Sequence, residues 1–162
     1  MAWMNLDLEA AKTAAALAKD AGGRGVDKGK AEKLVRGASS VLAHQGLSAY
    51  FLHLKAEGPQ PQKPNKPPKQ ASKDEVWAEE LARRSYGLLQ TAWGKGLLAD
   101  IAWEKAGSID HRQILIQSQT RLDNIGRFSE DLPRLIAGKQ LVEQMLVYLR
   151  YHCKTLPEKE GT

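Results

Sequence analysis

The chain has 162 residues, of which 42% are hydrophobic and 27% charged, as in an ordinary globular protein with one core. No apolar run approaches the roughly 20 residues of a membrane span, and a single cysteine excludes an internal disulfide and a multi-cysteine zinc site. The net charge of +5 is unevenly spread, since residues 58–73 carry four lysines and no acidic residue. A basic chain can indicate a nucleic-acid-binding protein, but this uneven distribution weakens that interpretation.

Helical periodicity begins near the N-terminus. The alanine-rich start predicts a helix from about Leu6 to Asp20 that ends at Gly22-Gly23. A second apolar stripe runs from Ala31 to Leu42 with the i, i+3, i+4, i+7 spacing of an amphipathic helix.

A glycine then interrupts the pattern. After Gly46 the apolar stripe restarts in a new phase, from Leu47 to Leu54. Because glycine readily adopts the left-handed conformation that ends helices, the change of phase predicts a tight corner between two helices. The flanking histidines, His44 and His53, are interpreted as residues of that corner and not as metal ligands.

The segment from Pro59 to Lys73 contains five prolines, four lysines and no large apolar residue. Such a composition cannot bury enough surface to offset the entropy of ordering, so we predict a flexible linker over about residues 58–73. Ser72 is predicted to cap the next helix, with Glu75 three residues later.

The remaining stripes are also helical. They predict helices around Trp77 to Ala92, around Ile114 to Ile125 and from about Asp131 onward, with Leu97, Leu98 and Ile101 continuing the first of these after a break. The predicted fold class is therefore all-α: a compact bundle of about six to seven helices with a Pro/Lys-rich inserted loop, forming a single domain over residues 1–162.

Catalytic signatures are not found. The sequence has no HExxH motif, and the glycine-rich stretch from Gly22 to Lys30 lacks the spacing of a P-loop. We therefore expect no enzyme activity, no cofactor and no metal. The N-terminus also lacks the pattern of a secretory signal, which together with the missing span predicts a cytoplasmic protein.

Basic residues form two rows on predicted helices. Lys30, Lys33 and Arg36 share one side of the second helix, away from its apolar stripe, and Arg150 and Lys154 are one turn apart on the last helix. Such rows are commonly solvated faces, but two rows facing each other would form a groove for phosphates.

Three segments carry a resemblance: Lys30 to Gly58 with the corner "HQGLSAYFLHL", Trp77 to Leu89, and Gln144 to Leu156 with "VYLRYHCKTL". Together they resemble the small helical subunit of the type III-B CRISPR effector, the Cmr complex. The resemblance implies an all-α, non-catalytic RNA-binding subunit that stacks with other copies of itself into a filament. It further implies contact with guide RNA and target RNA, beside the repeated backbone subunit and the large polymerase-like subunit. The RNA-binding residues that it suggests are Lys30, Lys33, Arg36, Arg84, Arg150 and Lys154.

Two other interpretations remain open. One is a different small subunit of an RNA-guided complex. The other is a helical adaptor that binds a protein partner without RNA, for which Trp3 or Trp93 would serve as surface anchors.

Overall fold

A computed structural model describes residues 5–61, 71–93 and 111–157 of the chain. Within these ranges the chain is helical and contains no strand, which confirms the all-α prediction. The six helices are α1 (Leu6–Arg24), α2 (Lys28–Gln45), α3 (Leu47–Glu57), α4 (Lys73–Trp93), α5 (His111–Phe128) and α6 (Leu132–Cys153).

One predicted helix end is wrong. α1 does not end at Gly22-Gly23 but continues to Arg24, because Gly25 adopts the left-handed conformation (φ 73°) and its N–H bonds back to the carbonyls of Ala21 and Gly22. α5 passes through Gly126 and ends at Phe128, close to the end of its predicted stripe at Ile125. A glycine within a helix weakens it without ending it when no left-handed cap is formed there.

The predicted corner is present at Gly46, which ends α2 and precedes α3. Its φ is +93° and its ψ is −174°, a combination available essentially to glycine alone. The Gly46 N–H bonds to the Leu42 carbonyl at 3.1 Å, and its own carbonyl accepts from the Tyr50 N–H at 3.0 Å. One residue therefore closes one helix and opens the next.

The predicted cap of α4 is confirmed as a reciprocal pair of bonds. The Glu75 N–H donates to Ser72 Oγ at 3.2 Å, and the Ser72 N–H donates to Glu75 Oε1 at 3.3 Å. At the ends of the predicted linker, Gly58 and Pro59 are buried and Lys73 already begins α4.

Several predictions fall outside the described residues. They concern Trp3, the interior of the linker, and the helical pattern at Leu97, Leu98 and Ile101.

Most of the buried apolar residues form one cluster to which all six helices contribute. α1 packs against α6 and α4, α2 packs against α3 and α6, and α3 packs against α4 and α5. Trp77 is fully buried and donates its indole N–H to the Leu17 carbonyl at 3.0 Å, which joins α4 to α1. No helix among the described residues is long and apolar enough to cross a membrane.

Candidate functional site

A groove lies between α2, α3 and the first turns of α4, with a cavity volume of about 670 Å³. A smaller cavity of about 390 Å³ continues from it along the start of α4, and both are bordered by Val26, Lys30 and Asp74. A groove of this size is large enough to take a phosphate with its neighbouring groups.

The basic wall of the groove is the exposed side of α2. The opposite side of this helix buries Ala31, Val35, Ala38 and Leu42 in the core, so residues about half a turn away must face outward. Lys30, Lys33 and Arg36 are all exposed and all border the groove. The structure therefore brings together three of the residues singled out from the sequence.

These three basic residues differ in their partners. Lys30 Nζ pairs with Asp74 Oδ2 at 3.1 Å, and both side chains are substantially exposed, so this pair contributes little to stability. Lys33 and Arg36 make no hydrogen bond or ion pair with any described residue. Their charges are therefore available to an external anion.

The centre of the groove contains polar residues from two helices. Gly37 and Ser40 come from α2, and His53 comes from α3. A Cβ atom placed on Gly37 would lie 3.6 Å from His53 Nε2, so the imidazole stands directly across from this glycine. Glu57 and Asp74 add two carboxylates to the border.

Arg150 lies on α6 and Lys154 is the residue that caps its C-terminal end; both are exposed, but they do not line the groove. Lys139 of α6 bonds to the Ala43 carbonyl at the end of α2, at 3.2 Å. Arg150 follows Lys139 by three helical turns and so shares its side of α6, the side toward α2. Lys154 Nζ lies 5.4 Å from the centre of the Tyr151 ring, within cation–π range.

Arg84 is placed apart from the other candidates. It is part-buried on α4, and its Nε bonds to the fully buried carboxylate of Glu80 at 3.1 Å. The structure thus gives Arg84 an intramolecular partner and does not bring it to the groove.

Buried charges between α4 and α5 form a separate cluster. Arg121 pairs with Glu79, and both side chains are almost completely buried. Arg83 Nη1 donates to Gln117 Oε1 at 3.2 Å. Burial raises the pKa of Glu79 above its ordinary value, and the attraction of Arg121 only partly offsets that effect.

A metal site is not evident in the part of the chain that the structure describes, which holds no group of three or more His, Cys, Asp or Glu side chains placed to bind an ion. Comparison with known proteins gives no match: no family model fits the chain, and no curated protein or solved structure is similar to it.

The contribution of Gly37, Ser40 and His53 to the groove was not predicted from the sequence. One signal was present, because Lys33, Gly37 and Ser40 follow an i, i+4, i+7 pattern on the basic side of α2. A row made of a lysine, a glycine and a serine indicates a recessed surface, because two of its three members have little or no side chain. The position of His53 opposite that row depends on how α3 packs.

Proposed function

We propose that this chain is a non-catalytic helical subunit that contacts RNA phosphates through the exposed side of α2. The observation that carries the proposal is the groove itself, where Lys33 and Arg36 converge without a partner among the described residues. Phosphates are recognised mainly by such cations, and the contact needs no catalytic group.

The resemblance noted above supplies the biological setting of the proposal. On that resemblance the chain would be the small subunit of a type III-B CRISPR effector, beside guide RNA, target RNA, the backbone subunit and the polymerase-like subunit. Arg150 and Lys154 would extend the contact along α6, because Arg150 lies on the side of that helix nearest α2. Copies of the chain would stack along the RNA, in the cytoplasm.

A charge-reversal experiment tests the RNA contact. The full chain carrying Lys33→Glu and Arg36→Glu should bind a labelled RNA at least tenfold more weakly, as measured by fluorescence anisotropy. Its log–log salt slope should fall by roughly 0.7–0.9 for each phosphate contact that is lost. Lys12→Glu with Lys19→Glu is the control, since both lysines are exposed on α1 and the net charge changes equally. Equal losses in the two double variants would contradict a role for the groove.

Purification of the tagged chain from its host tests the setting. Short RNAs that share a repeat-derived 5′ tag should copurify with it, together with the backbone and polymerase-like subunits. A bound protein without RNA would reject the effector subunit in favour of the adaptor.

One observation favours the adaptor as a second candidate. Leu52 of α3 is 58% exposed and Ile116 of α5 is 56% exposed. Each lies three residues before one member of the Lys55–Gln119 bond, which joins the two helices at 2.7 Å, so each is on the side of its own helix that carries this bond. Replacing both with Asn should abolish partner capture by an adaptor and leave RNA affinity unchanged.

A further inference from the structure

We propose that the groove holds a single phosphate group above Gly37 and that protonation of His53 strengthens its binding. The residues of this Gly37 cradle are Lys33, Arg36, Gly37, Ser40 and His53. The inference rests on the proposed function for the source of the phosphate, which would be the RNA backbone. The cradle itself can be tested with inorganic phosphate alone.

The geometry of the cradle follows from two helices that face each other. Lys33 lies one turn before Gly37 and Ser40 lies about one turn after it, on the same side of α2. His53 stands across from the middle of this row, with Nε2 3.6 Å from the position of a Gly37 Cβ. Because a Cβ atom at that position would be in van der Waals contact with the imidazole, the absence of a side chain at Gly37 leaves His53 Nε2 uncovered on the side of α2.

The donors of the cradle have no partner among the described residues. Lys33, Arg36, Ser40 and His53 make no hydrogen bond or ion pair with any described residue, whereas the neighbouring Lys30 is paired with Asp74. Ammonium, guanidinium and hydroxyl groups donate to phosphate oxygens at any pH near neutrality. An imidazolium adds a further donor and a charge, and imidazoles usually gain that proton between pH 8 and pH 5.

The surrounding charges leave the groove only weakly positive when His53 is neutral. The groups that border it are Lys30, Lys33 and Arg36 from α2, Glu57 from α3 and Asp74 from α4. Lys55 points to the other side of α3, where it bonds to Gln119 of α5, and Lys139 of α6 is bonded to Ala43 at the corner end of α2. Protonation of His53 therefore changes the net charge of the border from +1 to +2, a large relative change for an anion.

Inorganic phosphate is the first probe. We expect amide signals around Gly37 and His53 to shift in the NMR spectrum of the full chain when phosphate replaces chloride at constant ionic strength and pH 6. Gly37→Leu should abolish these shifts, because its side chain would occupy the space of the anion. Gly126→Leu is the control, since the surroundings of Gly126 are open. Shifts that map to other surfaces would overturn the cradle.

The pH dependence of RNA binding is the second probe. A single-stranded RNA with a 5′-hydroxyl contains only phosphodiesters, whose charge is constant over this range. Its affinity should fall roughly three- to tenfold from pH 5.5 to pH 8 at fixed ionic strength. His53→Gln should lose this response. His44→Gln and His152→Gln should keep it, because both histidines are exposed and neither borders the groove.

The outcomes separate the two proposals. If the α2 charge reversals weaken RNA binding while His53→Gln keeps the full pH response, the cradle is wrong and the proposed function stands. If phosphate shifts the cradle signals and RNA does not bind at any pH, the cradle is right and the proposed function is wrong.

Discussion

Gly46 shows at the scale of one residue how the corner between α2 and α3 is built. Its φ of +93° with a ψ of −174° lies in a backbone region that essentially only glycine adopts. No atom of the other described residues lies within 4 Å of the position that a Cβ atom would take. The requirement for glycine therefore comes from the backbone and not from crowding.

Gly46→Ala is expected to destabilise the protein by about 1–3 kcal/mol, because alanine is strained in this conformation. Urea denaturation followed by circular dichroism measures the change. Gly126→Ala is the matched control, since this exposed helical position is equally open and alanine should stabilise it by roughly 0.5–1 kcal/mol. Equal effects at the two sites would show that the backbone at Gly46 is not strained for alanine.

At the scale of elements, α4 and α5 are joined by buried polar contacts as well as by apolar packing. Arg121 pairs with Glu79, and the amide of Asn124 donates to the Tyr86 hydroxyl at 2.9 Å. A buried pair of charges adds little net stability compared with apolar residues of the same size, but loss of one partner leaves a charge unpaired. The pair therefore fixes which faces of α4 and α5 meet.

Arg121→Met is expected to cost about 3–5 kcal/mol at pH 7, because the carboxylate of Glu79 would lose its ion-pair partner. Replacing both residues with Met should cost clearly less than Arg121→Met alone. A double-mutant cycle by urea denaturation measures this coupling.

The penalty of Arg121→Met should also decrease on acidification, since burial raises the pKa of Glu79 and a protonated carboxyl needs no counter-charge. In the double-mutant cycle, additive effects of Arg121→Met and Glu79→Met would contradict an energetic link between the two residues.

At the scale of the whole molecule, the core at the C-terminal end of α6 makes stability sensitive to alkaline pH. Burial, with a smaller contribution from the Glu32 carboxylate, raises the pKa of Cys153 from 9.0 to about 11. The folded protein therefore keeps the thiol proton to a higher pH than the unfolded chain does. Stability should fall as the pH rises from about 9 to about 11, because unfolding releases that proton.

Thermal denaturation at intervals between pH 8 and pH 11 tests this expectation. The wild-type chain should lose stability more steeply than Cys153→Ala, which lacks the thiol. Burial also raises the pKa of Tyr50, but that residue is present in both proteins and cancels in the comparison. Parallel curves would mean that the thiol loses its proton equally readily in the folded and unfolded states.

Local features of the sequence determined the helices and several of their boundaries. The apolar stripes, the Gly46 corner and the Ser72–Glu75 cap depend on residues within a few positions of one another, so periodicity and capping rules suffice to predict them. The end of α1 was missed because three nearby glycines competed for one cap, and the conformation of Gly25 decided the outcome. The sequence also placed Lys30, Lys33 and Arg36 on one exposed side of α2.

The tertiary structure alone decided what lies opposite that side. His53 reaches the row of Lys33, Gly37 and Ser40 only because α3 folds back along α2, and Asp74 closes the groove from α4, 34 residues after Ser40. Arg84 and Glu80 look equally exposed in the sequence, yet the packing of α4 part-buries one and fully buries the other. A helical pattern specifies which side of a helix is apolar, but the free energy of burying that side against its neighbours selects which polar groups meet.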